Sequence, residues 1–172
     1  MRALLIVLVV SLSFVTGTAN SQTRTFTQDK LEYILELPSA SWQPLSRFDI
    51  HDHLEFIYEG DPANGDLNLR KRLVDAGATP ADLFRFDEKW EFQQLPGYVA
   101  CGTCEGESFA GKHSGAVFTY EFVSGGKIVA GRIYYLQLDT RTFYSLRFTV
   151  PQGKFRSMRQ DMDSIARSFR LK

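Results

Sequence analysis

The chain has 172 residues, and its 20 Lys and Arg balance its 20 Asp and Glu, so the formal net charge at pH 7 is zero. That balance argues against a nucleic-acid partner, because gripping a phosphate backbone is driven by clustered basic side chains. With 44% hydrophobic residues, including 14 Phe, 7 Tyr and 2 Trp, the chain can bury one proper core, and no linker, repeat or low-complexity tract divides it.

The first element is an address. Arg2 precedes an apolar run, Ala3 to Val10 and on through Leu12, Phe14 and Val15, and small or polar residues follow from Thr16 to Ser21. Charged, apolar, then small is the order of an export signal. The run is shorter than the roughly 20 residues of a comfortable bilayer span. Cleavage after Ser21 leaves Gln22 first, and Gly17-Thr18-Ala19 offers an earlier frame. Residues 1–21 are thus expected to be a signal peptide and residues 22–172 one domain, periplasmic or extracellular, with no stable membrane span after cleavage. Losing Arg2 leaves 19 basic against 20 acidic residues.

Residues 22–30 are polar and read as loose. Leu31, Tyr33, Leu35 and Leu37 then alternate with Glu32 and Glu36, the period of a strand with one buried face, and Pro38 stops it. Ser39 to Pro44 reads as a connection whose Trp42 plugs the core. Leu54, Phe56 and Tyr58 form a second strand, which a tight loop from Gly60 to Asp66 turns into a hairpin with Leu67, Leu69 and Leu73. Thr79-Pro80-Ala81-Asp82 carries a cap, a first-turn proline and an acid three residues after the cap. A helix is predicted to start there and to bury Leu83, Phe86 and Trp90.

Three long strands are predicted at Gly115–Val123, Ile128–Leu138 and Thr142–Val150, the first two joined by Gly125-Gly126. The second is apolar on both parities, with Tyr134 and Leu136 on one and Ile133 and Tyr135 on the other, which places it inside its sheet with both faces covered. After Gly153 the period changes: Phe155, Met158, Met162, Ile165 and Phe169 make one apolar stripe on a helix of about four turns, with Arg156, Arg159, Asp161, Asp163 and Arg167 on its wet side. The class is α+β, helices around an antiparallel sheet.

The alternating Tyr33 and Leu35, the run Leu37-Pro38-Ser39-Ala40-Ser41-Trp42, and a last helix closing on Ser164-Ile165-Ala166-Arg167-Ser168-Phe169-Arg170 together resemble the PsbP-like (Mog/PsbP) superfamily, with its DcrB-type bacterial envelope proteins. The resemblance covers roughly residues 26–171. It implies an α/β/α sandwich on an antiparallel sheet, acting as a binding or assembly accessory and not as an enzyme, with no catalytic residue to carry over. A cysteine pair and several glycines between residues 97 and 115 depart from that layout.

Two clusters could carry chemistry. In an exported chain with two cysteines, Cys101-Gly102-Thr103-Cys104 reads first as a structural disulfide. A thiol redox pair is the alternative, although no helix signal follows to lower the thiol pKa; a metal held by Cys101, Cys104 and His113 would lack a fourth ligand. The second cluster is Asp49, His51 and His53. If the strand at Leu54 extends backwards, these share one face with Glu55 and could hold zinc or copper; otherwise they are the wet side of an edge strand. Arg70, Lys71 and Arg72 read as a solvated strip rather than an anion site. No nucleophile motif or phosphate loop is present and no cofactor is called for. The expected function is a non-catalytic exported binding domain whose partner is an envelope protein or small ligand.

Overall fold

The structure, a computed structural model, describes residues 23–45, 54–101 and 106–172. In chain order these residues form β1 (Arg24–Phe26), β2 (Tyr33–Leu37), β3 (Trp42–Leu45), β4 (Leu54–Tyr58), β5 (Asp66–Leu73), α1 (Pro80–Trp90), a 3-10 turn (Phe92–Gln94), β6 (Val99–Cys101), β7 (Glu107–Ala110), β8 (Ser114–Ser124), β9 (Lys127–Gln137), β10 (Thr142–Pro151), α2 (Gln152–Ser168) and β11 (Arg170–Leu171). The protein is α+β, with antiparallel sheets and two α-helices.

The three long strands fall within a residue of their predicted bounds. Gly125 and Gly126 both take positive φ, 56° and 76°, which lets a two-residue turn follow the twist of β8 and β9. β9 lies inside the large sheet, whose order is β3-β4-β5-β10-β9-β8-β6, with β7 also on β8. Its two parities feed two cores. Tyr134 and Leu136 pack with Met158, Met162, Ile165 and Phe169 of the α2 region; Ile133 and Tyr135 pack with Leu83 and Phe84 of α1 and with Phe92. Each apolar side chain so removed from water contributes about 2 kcal/mol. Gly131 makes room in the second core, since a Cβ there would lie 2.3 Å from the Tyr120 ring that stacks on Phe92.

Three expectations are corrected. Residues 22–30 are not all loose: Arg24–Phe26 pairs with Leu35–Leu37, and the Phe26 ring meets Phe56 edge-on at 4.9 Å. Three residues are too few to show a period. A second sheet, β1-β2-β11, therefore stands beside the large one, with β11 pairing against Tyr33 and Ile34. Trp42 is fully buried, as a plug should be, but it opens strand β3 opposite Tyr58.

The glycine-rich stretch holds two short strands. Val99–Cys101 pairs with Thr119–Glu121, and Glu107–Ala110 pairs with Ser114–Val117 in the same sense. Both segments therefore lie along the same edge of β8. Gly106, at φ 73°, lies against the Phe118 ring, where a Cβ would come within 2.6 Å.

Candidate binding surfaces

Asp49, His51, His53 and Cys104 lie outside the described residues, as does the side chain of Cys101. Among the described residues no group of three or more His, Cys, Asp or Glu could hold a metal ion. His113 is described, and it faces Phe169 with ring centroids 5.8 Å apart. It precedes the first residue of β8, whereas Cys101 pairs with Thr119; six residues of strand separate the two levels by about 20 Å. His113 is therefore not a partner for a metal at Cys101.

The basic strip is also corrected. Strand alternation sends Lys71 to one face, where it meets Glu32 at 2.6 Å, and Arg70 and Arg72 to the other. There Arg72 donates to both oxygens of Asp87, at 3.0 and 2.8 Å, and the Tyr135 hydroxyl donates to Asp87 at 2.7 Å. Glu91, at the end of α1, accepts from Arg70 at 3.4 Å and Arg147 at 3.3 Å. This charge network ties α1 to β5 and β10 and leaves only a void of about 10 Å³ among its members. It is mortar between layers, not a ligand site.

On the far face of the large sheet, Arg132 donates to Asp163 and Thr119 from a nearly inaccessible position, and the Tyr134 hydroxyl donates to Asp163 as well. Burial is the first cause that pushes the Tyr134 hydroxyl well above its ordinary pKa, so it stays a neutral donor. Asp163, expected on the wet side of α2, is drawn inward by this arginine.

Two surfaces stand out among the described residues. Phe86 and Trp90, expected in the core, stand one turn apart on the outside of α1 and are 56% and 60% exposed. The helix instead buries Leu83, Phe84 and Asp87, because the network at Asp87 fixes which side faces the sheet. Cations flank the two rings: Lys89 Nζ lies 4.8 Å from the Trp90 ring and the Arg72 guanidinium 5.9 Å from Phe86. The second surface is a cleft of about 690 Å³ at one end of the large sheet, between the β4–β5 loop and the β8–β9 turn. Asp66 lines it and opens β5, one residue earlier than the hairpin strand expected from Leu67. The detectable signal was parity, since Asp66, Asn68, Arg70 and Arg72 form a continuous polar face opposite Leu67 and Leu69.

Two antiparallel sheets with a core on each face of the larger, and a long helix after the last long strand, define a protein with the fold of the PsbP/Mog1-like superfamily. The cyanobacterial PsbP of Synechocystis superposes with a TM-score of 0.64 at 11% identity, over 94% of this chain and 99% of that one. The Ran-binding protein Mog1p of Saccharomyces cerevisiae gives 0.60 at 10% identity, over 88% and 96%. LpqN of Mycobacterium tuberculosis, involved in cell envelope biogenesis, gives 0.54 at 17% identity, over 88% and 91%. No protein-family model and no curated protein matches the sequence. At these identities the likeness is one of fold.

Proposed function

We propose that the protein is an exported, non-catalytic binding or assembly accessory, and that the outer face of α1 is its partner surface. The observation that carries this reading is the pair Phe86 and Trp90. The core buries Trp42 and ten or more Phe and Tyr rings, yet these two large rings stand side by side in water. Aromatic residues ringed by cations are what protein interfaces use as anchors, where removing one costs about 2 kcal/mol or more of binding. The structural neighbours include a Ran-binding protein and a protein of envelope biogenesis, and both support an accessory role on this fold.

The remaining parts of the reading follow from the leader and the cysteine pair. Residues 1–21 direct export and residues 22–172 form the working α/β/α sandwich in a periplasm or outside the cell. Among the described residues no helix is long and apolar enough to cross a membrane. A Cys101–Cys104 disulfide would staple the segment between β6 and β7.

The test is capture from the native envelope with the wild-type chain and with Phe86→Ala/Trp90→Ala. A partner held by the first and lost from the second, with circular dichroism unchanged, is the expected result. Equal capture by both chains sinks the surface. Turnover of a substrate abolished by one substitution sinks the non-catalytic reading.

A further inference from the structure

The long β8–β9 hairpin ends in an apolar tip that neither core covers. Register sets Val123 opposite Ile128, Glu121 opposite Ala130 and Val99 opposite Glu121. Side chains opposite one another in a ladder share a face, so Val99, Val123 and Ile128 stand on the face that also presents Val117 and Tyr134 to the α2 core. Ala130, two residues in from Ile128, is buried, whereas Val99, Val123 and Ile128 are 58%, 37% and 57% exposed. The Gly125-Gly126 turn beyond them has no side chain to hold a surface off.

Exposed cations flank this tip on both sides. Lys127 follows the turn, and its parity puts it on the α1 side of the hairpin. On the α2 side, Arg159 meets Glu107 at 3.3 Å and Asp163 meets Arg132 at 3.0 Å, which marks the flank of α2 that faces β7 and β9. Arg156 lies on that flank, one turn nearer the tip. Neither Lys127 nor Arg156 has an acidic partner among the described residues. The acids at this end are set back or engaged. Glu121 is half-buried two residues, about 7 Å, behind Val123. Across the cleft Glu59 pairs with Lys154 at 3.8 Å, Asp61 accepts from the Ala63 amide at 2.8 Å, and Asp66 sits with Arg147 and Thr149.

We propose that the β8–β9 tip docks the protein on an anionic lipid surface, with Val123 and Ile128 entering the headgroup layer, Val99 at its rim, and Lys127 and Arg156 facing lipid phosphates. A convex tip encloses nothing, so a small molecule would gain little there. Three aliphatic side chains also fall far short of the roughly 800 Å² per partner of a stable protein interface. A bilayer asks for less, because a few apolar side chains at the acyl boundary and cations against anionic headgroups already give reversible binding. The proposal does not rest on the α1 surface, whose Phe86 and Trp90 stand on the other side of the large sheet, and neither site's failure bears on the other.

The test floats the chain, freed of residues 1–21, with vesicles of equal parts phosphatidylglycerol and phosphatidylcholine, and with vesicles of phosphatidylcholine alone. Binding is expected to the first and to weaken at least tenfold on the second. Raising the salt from about 0.05 to about 0.5 M should release the bound chain, because exposed charges are then screened. Lys127→Gln and Arg156→Gln should each weaken binding about fivefold, as the loss of one cation near an anionic surface implies. Val123→Ser/Ile128→Ser should weaken it on both vesicles and keep the salt dependence, with circular dichroism unchanged, and Phe86→Ala/Trp90→Ala should bind as the wild type does. No binding to the anionic vesicles, equal binding to both kinds, or loss only with Phe86→Ala/Trp90→Ala would overturn the proposal. Self-association of the wild type that Val123→Ser/Ile128→Ser abolishes, without vesicle binding, would give the tip to a second copy and overturn it as well. The wild-type salt and lipid dependence decides the matter if a variant does not fold.

Discussion

Asp87 is 2% exposed on the inner side of α1 and is satisfied by two nitrogens of Arg72 and by the Tyr135 hydroxyl. Removing it would leave a half-buried guanidinium and a buried hydroxyl without their acceptor. Asp87→Ala is therefore expected to cost about 3 kcal/mol, read from the urea midpoint, because an uncompensated charge is worse than a missing pair. Tyr135→Phe, which removes one donor and leaves the ion pair, should cost about 1 kcal/mol. Equal losses would mean that the ion pair contributes nothing. The sequence showed Arg70 and Arg72 on one parity but not which acid they meet. Contact between residues 72 and 87 depends on how α1 lies on the sheet, which no local pattern encodes. The same ignorance put Phe86 and Trp90 in the core, because Leu83, Phe86 and Trp90 have helical spacing as good as that of Leu83, Phe84 and Asp87.

At the scale of elements, local chemistry was more legible. Thr79 caps α1: its Oγ1 accepts from the Asp82 amide at 3.2 Å, and the Asp82 carboxylate accepts from the Thr79 amide at 3.0 Å. Both halves of this capping box were written in Thr79-Pro80-Ala81-Asp82. Thr79→Ala should lower stability by about 1 kcal/mol, measured by thermal or urea unfolding, and Thr79→Ser should restore most of it. The Thr79 bonds hold the Asp82 carboxyl below its usual range, so its contribution is present at neutral pH and fades as acid protonates it. Helix α2 carried an equally plain signal, and its stripe at Met158, Met162 and Ile165 is buried as spaced. β1, β6, β7 and β11 were invisible for the opposite reason. At two to four residues each, they exist because a longer strand offers them hydrogen bonds, not because of their own periodicity.

For the whole molecule, the leader and the domain make separate claims. Protein recovered from the envelope or medium should begin at Gln22, and intact mass before and after strong reduction should differ by two hydrogens if Cys101 and Cys104 are bridged. A chain that still carries residue 1 would end the export reading, and an unchanged mass would end the disulfide. The two ends of the described domain also meet: β1 and β11 flank β2, and the Lys172 amide donates to the Glu32 carbonyl at 2.9 Å. Closing that small sheet needs residues separated by most of the chain. The sequence by itself determined what short-range physics controls, namely the strand and helix periods, the capped start of α1, the two-glycine turn and the α+β class. Tertiary structure alone decided the second sheet, the side of α1 that faces inward and the cleft beside Asp66, because each depends on which distant surface supplies the hydrogen bonds or excludes the water.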